Sequence, residues 1–262
     1  MRIKKIKAAL LLAAGGAAIL SSLAANGEES RNFTITTGLD YTSGNYGDNV
    51  KTEITSVPVI ARYEAKRWVF KVTVPYVTIN GPGNVVPSIG QVGTTNSTRR
   101  VRESGMGDVV TAATYNVYSG TSNALVIDLT GKIKFATADK DKGLGTGEND
   151  YATQVDLYKG FGKFTAIGTL GYRVYGNTSF GPLDNVFYGS VGGSYRLTSR
   201  TSAGVIYDYR PKITSTGSEI SEMTAFVTHK ITDQWKAQAY LVNGFSNGSP
   251  DYGGGALISF NF

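Results

Sequence analysis

Few residues in this sequence have side chains suited to catalysis. The 262-residue chain contains one histidine and no cysteine. A hydrolase would need that histidine, His229, beside a nucleophile or a water-activating carboxylate. The alternation of apolar and polar residues around it instead places His229 on the outward face of a strand, near one end. We therefore interpret His229 as a structural residue at a rim, and the sequence favours a protein that is not an enzyme.

Two loops contain residue types found at ion-binding or phosphate-binding sites, but neither carries a complete motif. In the acidic stretch 139–143, with Asp150 further on, Leu144 stands where a calcium loop needs its sharp-turn glycine, and two lysines intervene. The stretch 104–108 has two glycines but lacks the lysine of a phosphate loop. We expect a bend there as a long loop re-enters the sheet, with Asp108 facing inward. The glycines of 143–147 mark a turn, and no metal or cofactor is expected.

The remaining charged residues recur at alternate positions. In the segment 123–137, one face carries Leu125, Ile127, Leu129, Ile133 and Phe135, and the other carries Asp128, Thr130, Lys132 and Lys134. A period of two is that of a β-strand with one apolar and one polar face. The same alternation assigns these charged residues to the polar face: Arg62, Lys71, Asp108, Asp128, Lys132, Lys134, Asp156, Arg173, Arg196, Asp208, Arg210 and Glu222. They could select solutes in a pore or form cross-strand ladders that hold a wall in shape, and both interpretations stay open.

Twelve such segments can be counted, each about the 9–11 residues that a tilted strand needs to cross a bilayer. They lie near 32–43, 51–63, 68–79, 107–118, 123–137, 149–160, 163–176, 185–197, 201–212, 219–231, 234–244 and 252–262. No apolar run after the N-terminal segment approaches the ~20 residues of a transmembrane helix. The pattern predicts an all-β fold, a transmembrane antiparallel β-barrel of about twelve strands.

The connections and the aromatic residues favour a membrane barrel over a soluble sandwich. Links at 64–67, 119–122, 161–162, 198–200 and 232–233 are short, whereas those at 81–104 and 138–148 are long. Short periplasmic turns with longer external loops are typical of outer-membrane barrels. Outward aromatic residues are expected in two belts, one near each membrane interface. The periplasmic belt comprises Phe33, Tyr63, Phe70, Tyr115, Phe164, Tyr195, Trp235 and Phe262, and the external belt comprises Tyr41, Tyr76, Phe135, Tyr151, Tyr172, Tyr209 and Tyr252.

Residues 1–24 have the pattern of a secretory signal peptide. A basic start is followed by an apolar stretch from Ala8 to Leu20 and by the small residues Ser22 and Ala24. We predict cleavage after Ala24, with Ala25 as a close alternative, and residues 25–262 are expected to form the barrel in the bacterial outer membrane. The leader carries four of the 26 basic residues, so 22 remain against 20 acidic ones. The basic charge therefore belongs mostly to the leader, and nucleic-acid binding is not expected.

The C-terminus and the long loop suggest partners. Ile258, Phe260 and Phe262 alternate to the last residue, which resembles the signal read by the barrel assembly machinery. In the long loop 81–104, the stretch from Asn84 to Thr98 is polar and glycine-rich, and it ends in Arg99, Arg100 and Arg102. It could fold into the lumen or contact anionic lipopolysaccharide, beside the outer-membrane lipid; the simpler interpretation, which we prefer at this point, is a solvated loop.

The interior should not be a wide aqueous pore. Several apolar residues fall on its face by the same alternation, namely Ile60, Val110, Tyr158, Ile167, Tyr188, Phe226 and Tyr240. They suggest a plug or a route for a weakly polar solute. Pro58 and Pro75, on adjacent strands, should interrupt the hydrogen-bond ladder and kink the wall locally.

Short motifs resemble a known family. The run 72–76, Val-Thr-Val-Pro-Tyr, followed by Ser-Gly-Met-Gly-Asp at 104–108, resembles the strand–loop–strand pattern of the phenol meta-pathway degradation family of outer-membrane channels. Gly145-Thr146-Gly147 before Asp150-Tyr151, and Gly171-Tyr172 with Gly176, continue in the family's order. The resemblance implies a barrel that passes or binds small, often hydrophobic molecules, and it supplies no catalytic residues.

Three functions follow as hypotheses. The first is a narrow channel or uptake barrel for small solutes, including hydrophobic or aromatic ones. The second is a non-conducting structural or adhesion barrel that acts through loops 81–104 and 138–148. The third is an outer-membrane enzyme that depends on His229.

Overall fold

A computed structural model describes residues 6–7, 23–24, 32–87, 89–91, 100–120, 122–178 and 181–262. The predicted leader lies almost entirely outside these ranges, so its boundary at 24 stays a prediction. Within the described residues, no helix has the length and apolar character needed to cross a membrane.

The long strands form one closed antiparallel sheet in which each strand pairs with its neighbours in sequence. The strands are β1 Asn32–Gly44, β2 Thr52–Ala65, β3 Trp68–Gly81, β4 in two parts Val101–Met106 and Val109–Ser119, β5 Leu125–Phe135, β6 Asp150–Phe161, β7 Phe164–Val174, β8 Val186–Arg196, β9 Thr201–Arg210, β10 Ile220–Lys230, β11 Trp235–Gly244 and β12 Tyr252–Asn261. The barrel closes because β12 pairs with β1, from Tyr252 opposite Ser43 to Asn261 opposite Thr34. The predicted twelve-stranded β-barrel is confirmed. Two short antiparallel pairs lie outside this sheet, Ile6–Lys7 with Leu23–Ala24 and Val85–Val86 with Gly90–Gln91.

The two faces of the sheet differ as the alternation predicts. Leu129, Leu170, Val191 and Leu241 point outward and are between 45% and 71% exposed. A soluble protein rarely exposes a continuous apolar surface, whereas a barrel wall in lipid requires one. Aromatic rings gather near the strand ends, and Phe260 contacts both Trp235 and Phe262 at ring-centroid distances of 4.8 Å. The outer surface is therefore the lipid-facing surface of a membrane barrel.

The fourth strand differs from the prediction. It begins at Val101 rather than near 107, and it breaks at Gly107 and Asp108 before continuing from Val109. The backbone N–H of Gly107 donates to the carbonyl oxygen of Pro75 at 2.8 Å across this break. An added Cβ at Gly107 would lie 2.9 Å from Pro75 Cγ, so a larger residue would press on the proline ring. The predicted bend is thus inside the wall and not at the mouth of the barrel.

A second interruption lies beside the first. Pro58 of β2 stands directly opposite Pro75 of β3. Pairing between β1 and β2 stops at Thr37 opposite Val59 and resumes at Asp40 opposite Ser56. Proline has no N–H to donate to a ladder, which accounts for the gap. The wall formed by β1 to β4 therefore contains two neighbouring interruptions of the hydrogen-bond ladder.

Candidate functional site

An inward loop narrows the interior at the end of the barrel where the connections are long. In the described part of the loop between β3 and β4, Val85, Val86 and Ile89 are all at most 3% exposed. Val86 and Ile89 form a buried apolar cluster with residues from three other connections and strands, Tyr175, Val186 and Ile213. The preferred expectation of a solvated loop is wrong for these residues, because they bury apolar side chains in the mouth. Residues 92–99 lie outside the described part of the chain.

Arg210 holds this loop from the opposite wall. Its Nη2 donates to the carbonyl oxygen of Ile89 at 2.7 Å, and its Nη1 donates to the hydroxyl of Tyr175 at 3.1 Å. The Arg210 side chain is 6% exposed. A charged donor to a buried carbonyl is stronger than a neutral one, and leaving that carbonyl unpaired would be costly. Arg210 therefore acts as a latch for the loop.

A second loop also packs inward, through a network around Lys134. The Lys134 ammonium lies 2.7 Å from an Asp108 carboxylate oxygen and 3.5 Å from one of Asp150. It also donates to the Thr146 hydroxyl at 3.0 Å and to the Glu148 carbonyl oxygen at 2.9 Å. Asp108 in turn accepts from the backbone N–H of Ala138 at 3.1 Å. Asp108, on the break in β4, thus fixes the loop between β5 and β6 to the wall.

An apolar layer fills much of the interior below these loops. It consists of buried side chains from β5, β6, β7, β9, β10, β11 and β12, namely Val126, Tyr158, Ile167, Ile206, Phe226, Tyr240, Val242 and Leu257. Four of the interior apolar residues expected from the sequence, Tyr158, Ile167, Phe226 and Tyr240, belong to it. Water is excluded from a packed layer of this kind. The interior is therefore not a continuous wide pore.

A cavity of about 140 Å³ remains on the side of the interior formed by β1 to β4. The inner face of β2 and β3 forms one wall, with Pro58, Ile60, Lys71, Thr73, Pro75 and Val77. Other lining residues come from β1, β4, β10, the loops and the β11–β12 connection, including Asp40, Tyr46, Val86, Asp108, Val110, Leu144, Glu222 and Pro250. The cavity therefore lies under the latched loop and beside the interrupted ladder.

The sequence-predicted polar residues fall into different environments. Most have partners inside the barrel: Arg62 with Glu64, Lys132 with Gln154, and Arg173 with Asp150 at 2.8 Å. Asp128 accepts from Asn116 at 2.6 Å, and Asp156 accepts from Gln154 at 2.7 Å and from Thr169 at 2.7 Å. Arg62 with Glu64 and Gln154 with Asp156 are contacts within one strand, whereas the others join neighbouring strands as in a structural ladder.

Two pairs of carboxylates stand opposite each other on the inner face. Asp128 lies opposite Asp156, and Asp208 lies opposite Glu222. Asp208 is 8% exposed and Asp156 is 2% exposed. Like charges directly opposite each other weaken a sheet, so these pairs cost stability that the surrounding hydrogen bonds must offset. Arg196, by contrast, is exposed at the short-turn end and lies apart from the cavity.

His229 lies on the outer surface near the short-turn end. Its Nδ1 is 2.9 Å from the hydroxyl of Thr201, and both residues are outside the interior. Within the described ranges, no three residues among His, Cys, Asp and Glu come together as a metal site. His229 does not line the cavity described above.

The C-terminal residues lie on the outer face of the last strand. Ile258 and Phe262 are exposed, while Leu257 and Ser259 point inward and are at most 5% exposed. The Phe262 ring lies 5.5 Å from that of Phe33 of β1. The end of the chain thus closes the seam of the barrel.

Sequence reasoning missed the buried residues of the loops. Tyr46, Leu144 and Ile89 are at most 5% exposed although each lies in a connection between strands. The pair Val85-Val86 inside a polar loop was the available signal, because apolar residues in an external loop need a surface to cover them. Tyr46 gave no such signal.

Comparison with known proteins supports the fold. No family model matches the sequence, and no curated protein matches it. The COG4313 outer membrane channel from Pseudomonas putida F1 superposes with a TM-score of 0.67 at 14% identity, over 91% of this chain and 99% of that chain. The β domain of the Bordetella autotransporter BrkA has a TM-score of 0.54 at 11% identity, over 90% of this chain and all of that domain, 100%. This chain therefore has the fold of bacterial outer-membrane β-barrels, and it shares that fold with an outer membrane channel.

Proposed function

We propose that the protein is an outer-membrane channel for small solutes whose external mouth is closed by the inward loop between β3 and β4. The observation that carries the proposal is the contact between Arg210 and Ile89, which holds an apolar segment across the mouth. Below it lies a cavity of about 140 Å³ and, beside that, a packed apolar layer. A lumen of this kind suits single small molecules of low polarity rather than a stream of hydrated ions.

The comparison adds a role by analogy. The Pseudomonas protein that shares the fold is named an outer membrane channel, and we extend that role to this chain as part of the proposal. The finer assignment, membership of the phenol meta-pathway degradation family, is supported by the motifs at 72–76 and 104–108. In this chain those motifs meet at the Pro75–Gly107 hydrogen bond, where β4 breaks.

The direct test measures permeability with and without the loop. The mature protein is refolded in detergent, its folded state is verified by its altered migration on an unheated gel, and it is placed in planar bilayers and in liposomes. Wild type is expected to show small or infrequent openings, and a variant with residues 83–99 replaced by a short Gly-Ser linker is expected to open more. Silence of both proteins, together with no solute-dependent swelling of liposomes, would contradict a channel.

The adhesion hypothesis receives less support from the geometry. The described parts of the two longest loops bury Ile89, Leu144 and Thr146 in the mouth, so these residues are not presented to a partner outside the cell. If loop deletion abolished a binding phenotype and left permeability unchanged, adhesion would become the better explanation. An activity lost in His229→Ala, with the barrel still folded, would favour the enzyme hypothesis.

Assembly and surface contacts complete the proposal. Phe262, packed on Phe33 and Phe260, is proposed to serve the barrel assembly machinery in the cell. Phe262→Ser should then reduce insertion in cells but leave refolding in detergent unchanged.

We propose that Arg102, rather than Arg100, contacts lipopolysaccharide. Arg102 is exposed, whereas Arg100 pairs with Glu53.

A further inference from the structure

The cavity under the latched loop has the size and lining of a site for one small molecule. Its volume of about 140 Å³ is close to the ~150 Å³ of an engineered apolar cavity that binds benzene. Pro58, Ile60, Pro75 and Val110 form much of its wall. Such a wall would stabilise an apolar body through the hydrophobic effect and close packing.

The charged groups that line the cavity are not equally satisfied. Asp108 is paired with Lys134 at 2.7 Å, and Asp40 accepts from the hydroxyl of Tyr240. Glu222 lies beside Ser249 and within electrostatic range of Arg210. None of the described residues forms a hydrogen bond or an ion pair with Lys71, which is half-buried. Among the described lining residues, Lys71 is therefore the charge that has neither a hydrogen-bond partner nor a counterion.

The surroundings of Lys71 increase the local positive potential. Arg62 stands directly opposite Lys71 on β2, and both Arg62 and Lys132 lie close enough to repel its ammonium. A partly desolvated cation among other cations is costly unless an anion approaches it. The end of the cavity at Lys71 therefore favours a negatively charged group.

The Asp40 carboxylate lies toward the other end of the cavity. Lys71 is six residues from Val77 on β3, and the partner of Val77 on β2, Ser56, stands opposite Asp40. At about 3.3 Å per residue this separation along the strand is roughly 20 Å. An anionic group at Lys71 would therefore be far from Asp40, with apolar residues between them.

We propose that this cavity binds a small apolar anion, such as a single-ring carboxylate, with its carboxylate on the Lys71 ammonium and its ring against Pro58, Ile60 and Val110. This proposal rests on the proposed function, because it names the class of solute that the channel accepts.

The test compares three probes of one shape and different charge. Benzoate, benzyl alcohol and benzylamine are titrated calorimetrically into the refolded full barrel in detergent at neutral pH. Benzoate is expected to bind best. Lys71→Gln should lower the affinity for benzoate about tenfold or more, which is the usual effect of losing a charged hydrogen bond. It should change the affinity for benzyl alcohol less than about twofold.

Lys236→Gln is the matched control, because Lys236 is a partly buried cation of β11, opposite Lys230, that does not line the cavity. It should leave benzoate affinity within about twofold of wild type if the effect is local to Lys71. Equal losses in the two variants would overturn the proposal, as would benzylamine binding at least as tightly as benzoate. Lys71→Met provides a second variant, and the comparison of the three probes on wild type does not depend on any variant folding.

The outcomes separate this proposal from the channel itself. Binding in detergent does not depend on conductance. If the barrel binds benzoate through Lys71 but passes no solute, the proposed channel function is contradicted and the proposed anion site is supported. If the barrel takes up solute but binds none of the probes, or binds all three equally, the channel function is supported and the anion site is contradicted.

Discussion

The guanidinium of Arg210 and the carbonyl oxygen of Ile89 are 2.7 Å apart although the two residues are separated by 121 positions in the chain. The contact joins the inner face of β9 to the loop between β3 and β4. The described part of this loop narrows the mouth, because its apolar residues Val86 and Ile89 pack against Tyr175, Val186 and Ile213. The inward position of this part therefore rests on one charged hydrogen-bond donor and one apolar cluster.

Removing the latch should open the mouth. Arg210→Gln leaves the carbonyl of Ile89 and the hydroxyl of Tyr175 without their charged donor, which weakens the closed loop. We expect conductance in planar bilayers and solute uptake into liposomes to rise severalfold. Arg200→Gln, at an exposed turn, is the control and should behave as wild type. An unchanged conductance for a folded Arg210→Gln barrel would show that the loop does not limit passage.

Lys134 should matter for stability far more than an exposed lysine. Lys134→Met leaves the partly buried Asp108 without its cation and leaves the buried Asp150 with Arg173 alone. Breaking a buried ion pair in this way costs about 3 to 5 kcal/mol. Lys142→Met removes only the exposed contact with Asp139 at 3.9 Å and should cost less than about 1 kcal/mol. Unfolding by urea in detergent gives both values. Similar midpoints for the two variants would show that the Lys134 network contributes little.

Two glycines in the wall offer a matched pair of substitutions. At Gly38 an added Cβ would collide with the carbonyl oxygen of Ala256 on β12, whereas at Gly131 nothing lies within 4 Å of it. Gly38→Ala should therefore lower the free energy of unfolding by about 1 to 3 kcal/mol, as overpacking does. Gly131→Ala should be neutral or slightly stabilising, because glycine is unfavourable within a strand. A stability loss of equal size in both variants would contradict this steric account.

Tyr46 should make the fold sensitive to alkaline pH. Burial in the loop between β1 and β2 raises the pKa of Tyr46 to about 12. The unfolded chain releases this proton near pH 10, so the stability from the neutral phenol is complete below pH 10 and is lost as the pH rises toward 12. The loss is about 2 to 3 kcal/mol over that window. Tyr46→Phe should reduce the fall in stability between pH 9 and pH 11.5, measured by urea unfolding. A fall as steep in the variant as in wild type would assign the effect to other groups.

The strands, their two faces and the aromatic belts could be predicted from the sequence alone. Successive side chains on a strand alternate by covalent geometry, so the pattern around Leu129 and Lys132 is local information. Short turns and long loops likewise follow from the spacing of these segments. The order of the strands is also predictable, because each strand pairs with its neighbours in sequence. Only the pairing of β12 with β1 joins strands that are distant in the sequence.

The positions of the loops and the partners of the charges were decided by the tertiary structure. The glycines of 104–108 predicted a bend, but only the folded barrel shows that the break in β4 faces Pro75. Whether Val86 and Ile89 turn inward depends on apolar residues that come from β8 and two distant loops. Lys134 and Lys71 both fall on the inner face by alternation. In the folded barrel, Lys134 is paired with two carboxylates, whereas none of the described residues supplies a carboxylate partner to Lys71. Alternation fixes the face of a side chain, and only closure of the barrel fixes its neighbours.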